Sequence, residues 1–361
     1  YTERLRLELA VISNRGFSKY FLTMNEITVI ANQIMLTGSG RGSAAGSLVA
    51  YALDFTQVDP IKYGLLFSRF LRSDATDYPD IDYDVAEPMD LKDELINRWG
   101  DNVVAPISNW NTLQLKYLVK DISKLFGIPF TEVNNVTGKM MIEATGPAKE
   151  KHGIKSGVYT PTFEEVKQFS PTLQRFLVNY PHVAEHIDAL YGQVRSCSRH
   201  AGGVVIADNL DEYMPLISSK GVRQTPWSVG QNVRQLEPLG FIKFDILGLS
   251  TLRMIENTIE RILVKQGNPK PSFAQVRAFY DEFLHPDKID LHDQEVYENI
   301  FHKGKWAGIF QFTEKGAQSF AKKVMPKSII DISAITSIYR PGPLSAKVDK
   351  RYVEAINDPL S

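Results

Sequence analysis

A short run of alternating acids is the feature of this sequence that most directly suggests chemistry. Within residues 79–85, Asp80, Asp82 and Asp84 alternate with bulky apolar residues. A strand has a side-chain period of two, so its three carboxylates would share one face, with neighbours about 6.6 Å apart. Carboxylates this close repel each other unless a positive charge lies between them, and a hard divalent cation suits oxygen ligands. The run therefore predicts a metal site on a sheet, with a solvent-facing strand as the alternative.

A glycine- and serine-rich stretch precedes the acids. Residues 37–47 contain four glycines and three serines, and they lead into the apolar segment 48–53. Glycines let the backbone approach a ligand closely, and free N–H groups entering a helix bind phosphate. The stretch matches neither a Walker A loop nor a Rossmann fingerprint. A flexible linker is the alternative reading. The predicted phosphate-binding residues are Gly40, Arg41, Gly42 and Ser43.

A second pair of charges lies in a strongly apolar segment. Lys243 and Asp245 flank Phe244, so a strand would place both charges on one face. They could form a surface ion pair worth little. Charges in so hydrophobic a strand need compensation, however. We expect Asp245 to complete a three-carboxylate metal site with Asp80 and Asp82, and Lys243 to meet a phosphate.

Two further basic segments could contact nucleic acid. Arg199 and His200 precede an apolar segment, and Tyr339 and Arg340 precede a Pro-Gly-Pro turn. A guanidinium beside an aromatic ring suits base stacking and phosphate contact. A structural histidine and an ordinary helix-terminating turn are the alternatives. Separately, the phosphate loop, the paired Asp80 and Asp82 and the third acid, Asp245, together indicate two-metal phosphoryl or nucleotidyl transfer.

Composition limits the class of protein. The 361 residues are 43% hydrophobic and 23% charged, which is typical of a globular chain of two or three domains. No apolar run approaches the roughly 18 residues of a membrane span, and no signal peptide is visible. The single cysteine fits a reducing cytoplasm. The net charge of −1 gives no argument for nucleic acid, although charges can segregate on a surface.

The elements that must position these residues are mainly helical. Strands are expected at the acidic run, near 199–207 and near 240–248, and the composition between 128 and 195 indicates an inserted module of short helices. The remaining predicted helices cover residues 3–34 with an interruption at Asn25 and Glu26, 90–127, 251–265 and most of 273–356. The chain opens without methionine and ends in a polar run, so we expect a piece of a longer protein.

Several blocks, in order along nearly the whole chain, resemble the alpha (catalytic) subunit of bacterial DNA polymerase III, a C-family replicative polymerase. The similar blocks are residues 40–53, 59–60, 65–67, 69–71, 79–82, 200–207, 243–249, 308–311 and 340–344. The chain departs from the family at Asn109–Thr112, where Phe-Gly-Thr is usual, and at Arg199, where lysine is common. These departures suggest a divergent branch, such as a viral one.

The resemblance implies an α+β fold with a polymerase-beta-like nucleotidyltransferase palm, a mixed sheet with helices. It implies a palm in two segments, 1–111 and 200–250, an inserted helical thumb at 112–199, and a truncated start of the fingers at 251–361. It also implies catalytic, metal-binding roles for Asp80, Asp82 and Asp245. The implied triphosphate ligands are Gly42 and Ser43, with Arg69 and Lys243 as basic partners; Asp84 is a supporting acid.

The implied activity is template-directed DNA synthesis, in which deoxynucleotides are added to a primer 3′-hydroxyl with two Mg²⁺ ions, or Mn²⁺ in their place. The implied partners are primer-template DNA and deoxynucleoside triphosphates. A sliding clamp and other replisome subunits would bind regions absent from this chain. The protein is expected in the cytoplasm, without a membrane partner. A template-independent nucleotidyltransferase and a catalytically incomplete DNA-binding fragment are the alternatives.

Overall fold

A computed structural model describes residues 1–74, 78–154, 159–230 and 233–358. The chain begins with two long helices and reaches the first strand through short turns. Its elements are α1 (Thr2–Asn14), α2 (Ser18–Ile34), a 3-10 turn (Ser43–Gly46), α3 (Leu48–Ala52), a second 3-10 turn (Phe67–Arg69), β1 (Asp82–Val85), α4 (Pro88–Trp99) and β2 (Val104–Thr112).

A run of helices follows. These are α5 (Leu115–Leu125), α6 (Phe130–Lys151), α7 (Phe163–Phe169), α8 (Pro171–Asn179) and α9 (Pro181–Leu190). The chain then returns to strands with β3 (Val194–Ile206), α10 (Leu210–Tyr213), β4 (Ile217–Ser219), β5 (Val222–Gln224), β6 (Val229–Gly230), β7 (Val233–Arg234), a 3-10 turn (Glu237–Leu239) and β8 (Lys243–Gly248).

The last part of the described chain is helical. It contains α11 (Ser250–Lys265), α12 (Phe273–Phe283), α13 (Gln294–Val296), a π-type turn (Tyr297–His302), α14 (Lys315–Val324), α15 (Ile329–Ile338), α16 (Pro341–Ser345) and α17 (Val348–Asn357). The fold is therefore of the mixed α+β class, as predicted. No helix in the described ranges has both the length and the apolar character needed to cross a bilayer.

Two helix predictions are wrong in detail. The first helical region breaks at Gly16, which has a φ of 74° and follows the end of α1, and not at Asn25 and Glu26, which lie inside α2. A glycine in the left-handed region is a common way to end a helix. The predicted helix over 90–127 is interrupted by β2, because Gly100, with a φ of 97°, ends α4 before an apolar strand begins.

A four-stranded mixed sheet carries the acids in the order β1-β8-β3-β2. β1 and β8 are parallel, and Asp82 lies directly beside Asp245 in their register. β8 and β3 are antiparallel, which places Gly203 on the other side of Asp245. Asp245 thus belongs to a central strand that is held on both edges.

The hydrophobic face of the acidic run is buried, as its alternation predicts. Ile81, Tyr83 and Val85 are at most 1% exposed and pack in one core with α2, α4 and β8. This core fixes the direction of the opposite, acidic face.

The chain divides into two compact units. The first contains Tyr1–Asn109 and Cys197–Asp290. Its main core includes α11 and α12 as well as the sheet. The second contains Trp110–Ser196 and the described part of the chain after residue 290. In the second unit, α5–α9 share one hydrophobic core, and the helices after residue 296 share another.

Candidate active site

Three carboxylates converge at the amino-terminal ends of β1 and β8. Asp82 opens β1, Asp80 lies two residues earlier, and Asp245 is the neighbour of Asp82 across the parallel pair. One carboxylate oxygen from each lies within 4.8 Å of the others. Asp80 is exposed, Asp82 is partly buried and Asp245 is buried. The sheet therefore brings together the three acids that the sequence predicted as metal ligands.

The bonding of Asp245 fits a cation site. Its Oδ2 is 2.5 Å from Lys243 Nζ, while its Oδ1 is buried and has no hydrogen-bond partner among the described residues. A buried carboxylate oxygen without a donor is costly. Hard oxygen ligands of this kind suit Mg²⁺ or Mn²⁺. The residues present therefore fit a divalent cation.

The electrostatics of the other two acids point the same way. Desolvation, followed by the nearby Asp245, raises the pKa of Asp80. Desolvation, followed by the nearby Asp80, raises the pKa of Asp82. In both carboxylates the ionised form is disfavoured, and a cation between them would favour it.

The glycine loop lies against the acidic strand. Gly38 N–H donates to the carbonyl of Asp84 at 2.8 Å. Gly42 has a φ of 69°, and a Cβ at this position would come within 2.7 Å of Asp82 Oδ2. Only glycine combines this backbone conformation with so close an approach. The loop residues that the sequence assigned to phosphate are therefore beside a metal-binding candidate.

Arg41 and Asp84 form an ion pair within this loop–strand contact. Arg41 Nη1 lies 3.0 Å from Asp84 Oδ1, and the Asp84 side chain is only 5% exposed. Burial raises the pKa of Asp84, and the hydrogen bond from Arg41 opposes that shift. Asp84 is outside the converging set of three acids. It holds Arg41, a partner that the sequence reasoning did not identify.

His200 is turned towards its own backbone. Its Nδ1 accepts hydrogen bonds from the N–H groups of Gly202 at 3.2 Å and Gly203 at 2.7 Å. Burial lowers its pKa, so the ring favours the neutral form that can accept these bonds. Gly203 is paired with Asp245 across β3 and β8, so the hydrogen bonds of His200 stabilise the backbone beside the third carboxylate.

Arg69 and Arg340 are exposed. Arg69 ends the Phe67–Arg69 turn and makes no ion pair with any described residue. Arg340 belongs to the second unit, where it lines a cleft of about 800 Å³ together with Tyr339 and Phe312.

Lys92 is a candidate that the sequence reasoning missed. It is 2% exposed, and its Nζ donates to the carbonyl of Ala201 at 2.7 Å. Burial and then Arg199 lower its pKa to about 8, against the opposing effect of Asp245. The available signal was its spacing, because Lys92 lies three residues before Leu95 on the buried face of α4.

Comparison with known proteins gives a consistent result over the whole chain. The sequence profile described as "Bacterial DNA polymerase III alpha NTPase domain" matches residues 1–248. The profile described as "Bacterial DNA polymerase III alpha subunit finger domain" matches residues 251–359.

Individual relatives agree with these profiles. The chain is 34% identical to DNA polymerase III subunit alpha of Borreliella burgdorferi over 95% of its length and 28% of the relative's. Identity to the Aquifex aeolicus protein of the same name is 33%, over 98% of this chain and 30% of the relative. Identity to the Bacillus subtilis protein of that name is 34%, over 95% and 28%. The chain therefore spans less than a third of the length of these relatives.

Proposed function

Because the chain belongs to the family of bacterial DNA polymerase III alpha subunits, we propose that it carries the nucleotidyl-transfer centre of a template-directed, replicative DNA polymerase. In the proposed reaction, a primer 3′-hydroxyl attacks the α-phosphate of a deoxynucleoside triphosphate, a phosphodiester bond forms and pyrophosphate leaves. The observation that carries the proposal is the convergence of Asp80, Asp82 and Asp245.

In this proposal, the three aspartates would hold two Mg²⁺ ions, or Mn²⁺ in their place. Such ions, when bound, activate the attacking hydroxyl and neutralise charge on the triphosphate and the leaving pyrophosphate. The chain supplies oxygens that are fixed in advance by two neighbouring strands. Burial of Asp245 and its contact with Lys243 restrict the carboxylate to one orientation, which is the form of preorganisation that catalysis requires.

The proposed triphosphate site comprises the loop and nearby cations. Backbone groups of the loop would meet the phosphate oxygens, with positive charge supplied by basic side chains. Two of these cations are anchored, since Arg41 is held by Asp84 and Lys243 by Asp245. An anchored cation loses little freedom when an anion arrives. The proposed residues are Gly40, Arg41, Gly42, Ser43, Arg69 and Lys243.

We assign residues 1–111 and 200–250 to the palm, 112–199 to the thumb and 251–361 to the start of the fingers. Two of these limits lie close to the unit boundaries at residues 109 and 197, and the finger-domain profile starts at 251. The thumb would contact the duplex backbone. Arg199, His200 and Arg340 are proposed as nucleic-acid contacts, with the Nδ1 atom of His200 already engaged by its own strand.

The proposed partners are primer-template DNA and deoxynucleoside triphosphates, with the protein working in the cytoplasm. Contacts with a sliding clamp and other replisome subunits would belong to parts of the relatives that this chain does not cover.

A primer-extension assay with Mn²⁺ tests the proposal. One labelled primer is supplied with and without a complementary template, and Asp245→Asn serves as the inactive control. Extension that requires the template and is lost in Asp245→Asn supports a template-directed polymerase. Equal extension without template indicates a template-independent nucleotidyltransferase, and no extension together with no stoichiometric Mn²⁺ binding indicates an incomplete fragment.

A further inference from the structure

A buried carboxylate in α1 is bonded to the chain just after the glycine loop. Glu8 is 0% exposed. Its Oε2 accepts from Ser47 Oγ at 2.8 Å and from Val49 N–H at 3.0 Å. The Ser47 hydroxyl accepts in turn from Ala50 N–H at 3.1 Å, which caps α3. Glu8 therefore fixes the end of the loop and the beginning of the helix that follows it.

Arg4, one turn earlier in α1, extends this network to a second segment. Its Nε donates to Glu8 Oε1 at 2.6 Å. Its Nη2 donates to the carbonyls of Gly46 at 2.8 Å and Leu65 at 3.2 Å. The two segments also touch, since a Cβ on Gly46 would come within 2.7 Å of the Leu66 carbonyl.

The two segments carry different proposed phosphate ligands. Gly42 and Ser43 lie in the loop that ends at Ser47, and Arg69 lies in the turn that follows Leu66. Taking a carboxylate fully out of water is costly unless it is paired and hydrogen-bonded. Arg4 and Glu8, both in α1, bond to the end of the loop and to Leu65. Capping α3 alone would not require the bond to Leu65.

We propose that Arg4 and Glu8 are positioning residues for the nucleoside triphosphate, because they fix the separation between the Gly42–Ser43 part of the loop and Arg69. The inference rests on the proposed function, since it takes these groups as the ligands of the triphosphate. A glycine-rich loop has many accessible conformations, and ordering it on binding would lower affinity. The Arg4–Glu8 pair acts as a clamp that orders the glycine-rich loop before the triphosphate binds.

Calorimetry on the full chain tests this role. Wild type, Glu8→Gln and Arg4→Met are titrated with dATP in the presence of Ca²⁺, and separately with Mn²⁺ in the absence of nucleotide. We expect both variants to bind dATP about tenfold more weakly, because an unordered loop adds a conformational cost to binding. Affinity for Mn²⁺ should stay within about twofold of wild type, since the clamp contacts none of the three aspartates.

Glu165→Gln is the matched control. Glu165 is also a buried carboxylate in a capping network, but it belongs to the second unit. Its substitution should lower the thermal midpoint without changing dATP affinity. Should Glu8→Gln fail to fold, Ser47→Ala removes the two bonds of the Ser47 hydroxyl, to Glu8 Oε2 and from Ala50 N–H, while the Arg4–Glu8 ion pair stays. A smaller loss of dATP affinity is then expected.

Three results overturn the inference. The first is dATP binding like that of wild type in both Arg4→Met and the Glu8 or Ser47 variant. The second is an equal loss of dATP and Mn²⁺ affinity, which indicates general loosening. The third is the absence of dATP binding by wild type, which contradicts the proposed function itself; titrating wild type first separates this failure from the other two.

Discussion

The two units contain carboxylates in opposite electrostatic situations. In the second unit, Glu165 accepts hydrogen bonds from Thr162 N–H and from the Tyr159 hydroxyl, both at 2.8 Å, and its Oε1 lies 2.5 Å from His152 Nε2. The backbone bond, followed by Tyr159 and His152, lowers the pKa of Glu165 to about 2. In the first unit, the pKa values of Asp80 and Asp82 are raised.

This difference distinguishes a carboxylate with a structural role from carboxylates that are arranged to bind a cation. Glu165 has its donors supplied by its own fold, and it completes the capping box of α7. The aspartates of the first unit repel one another, and Asp245 retains a buried oxygen that receives no hydrogen bond from the part of the chain that the structure describes. A carboxylate that receives its hydrogen bonds from neighbouring residues stabilises the folded protein. A cluster of carboxylates without enough donors or positive charge around it indicates that a cation binds there.

The largest expected effect of this difference is on activity. Asp82→Asn should reduce primer extension by about a thousandfold or more, because metal-ion catalysis supplies several kcal/mol. Folding should be retained, since the substitution removes a repelling charge. Single-turnover extension and a thermal melt check both statements. Glu165→Gln is the control, with reduced stability and unchanged extension, and extension by Asp82→Asn close to wild type would contradict the catalytic assignment.

The second-largest expected effect is on cation binding, which should distinguish the aspartate cluster from Glu165. Wild type should bind Mn²⁺ stoichiometrically, and at 100 times the Kd the cation should stabilise the fold by about 2.7 kcal/mol. Asp245→Asn should lose this stabilisation, while Glu165→Gln should keep it. Isothermal titration and melts with and without Mn²⁺ measure it. Equal stabilisation of wild type and Asp245→Asn would show that the ion binds elsewhere.

The pH dependence of stability should have opposite signs at the two groups. The folded-state pKa of Glu165 is lowered, so its contribution is complete above about pH 4.5 and is lost as the pH falls towards 2. Glu165→Gln should flatten that acid limb. The folded-state pKa of Asp80 is raised above its unfolded value, so the contribution of Asp80 to stability is present at low pH and is lost as the pH rises through the folded-state pKa.

Asp80→Asn should therefore stabilise the chain at pH 7 without divalent cations. Urea unfolding between pH 3 and 7 measures both variants. A loss of stability at neutral pH in Asp80→Asn would contradict the account of repulsion.

The smallest expected effect concerns Lys92, a buried cation without a carboxylate bonded to it among the described residues. Its folded-state pKa of about 8 lies below the model-compound value of 10.5, so the unfolded chain binds more protons between these values. Stability should rise with pH in that window, by about 1–2 kcal/mol between pH 8 and 9.5. Lys92→Met should remove the rise, whereas a slope equal to wild type would place the titration elsewhere.

The arrangement of the acids could be predicted from the sequence, because alternating acidic and apolar residues in a strand place the acids on one face and the apolar residues on the other. Ile81, Tyr83 and Val85 are buried as that pattern requires, and Asp82 and Asp245 become neighbours in the sheet. The α+β class was implied by the family resemblance, and the mixed sheet with its surrounding helices confirms it. Palm, thumb and fingers came from resemblance and remain a proposal.

The contacts that tune the site could not be predicted in the same way. The contacts of Arg41 with Asp84, of Lys92 with Ala201, and of Glu8 with Ser47 and Val49 join residues far apart in the chain, and the residue types alone do not select these partners. The helix predicted over 90–127 failed because residues on either side of β2 have helical periodicity, while Gly100 ends the first helix. In each case tertiary packing decided the outcome.

The parallel pairing of β1 with β8 has a consequence for biosynthesis. Asp82 leaves the ribosome well before Asp245, and all of α5–α9 are synthesised between them. Closing so long a loop is slow and depends on earlier folding of local elements. A nascent chain therefore cannot assemble the cluster of Asp80, Asp82 and Asp245 until β8 has emerged, so any activity that needs all three carboxylates has to wait for that step.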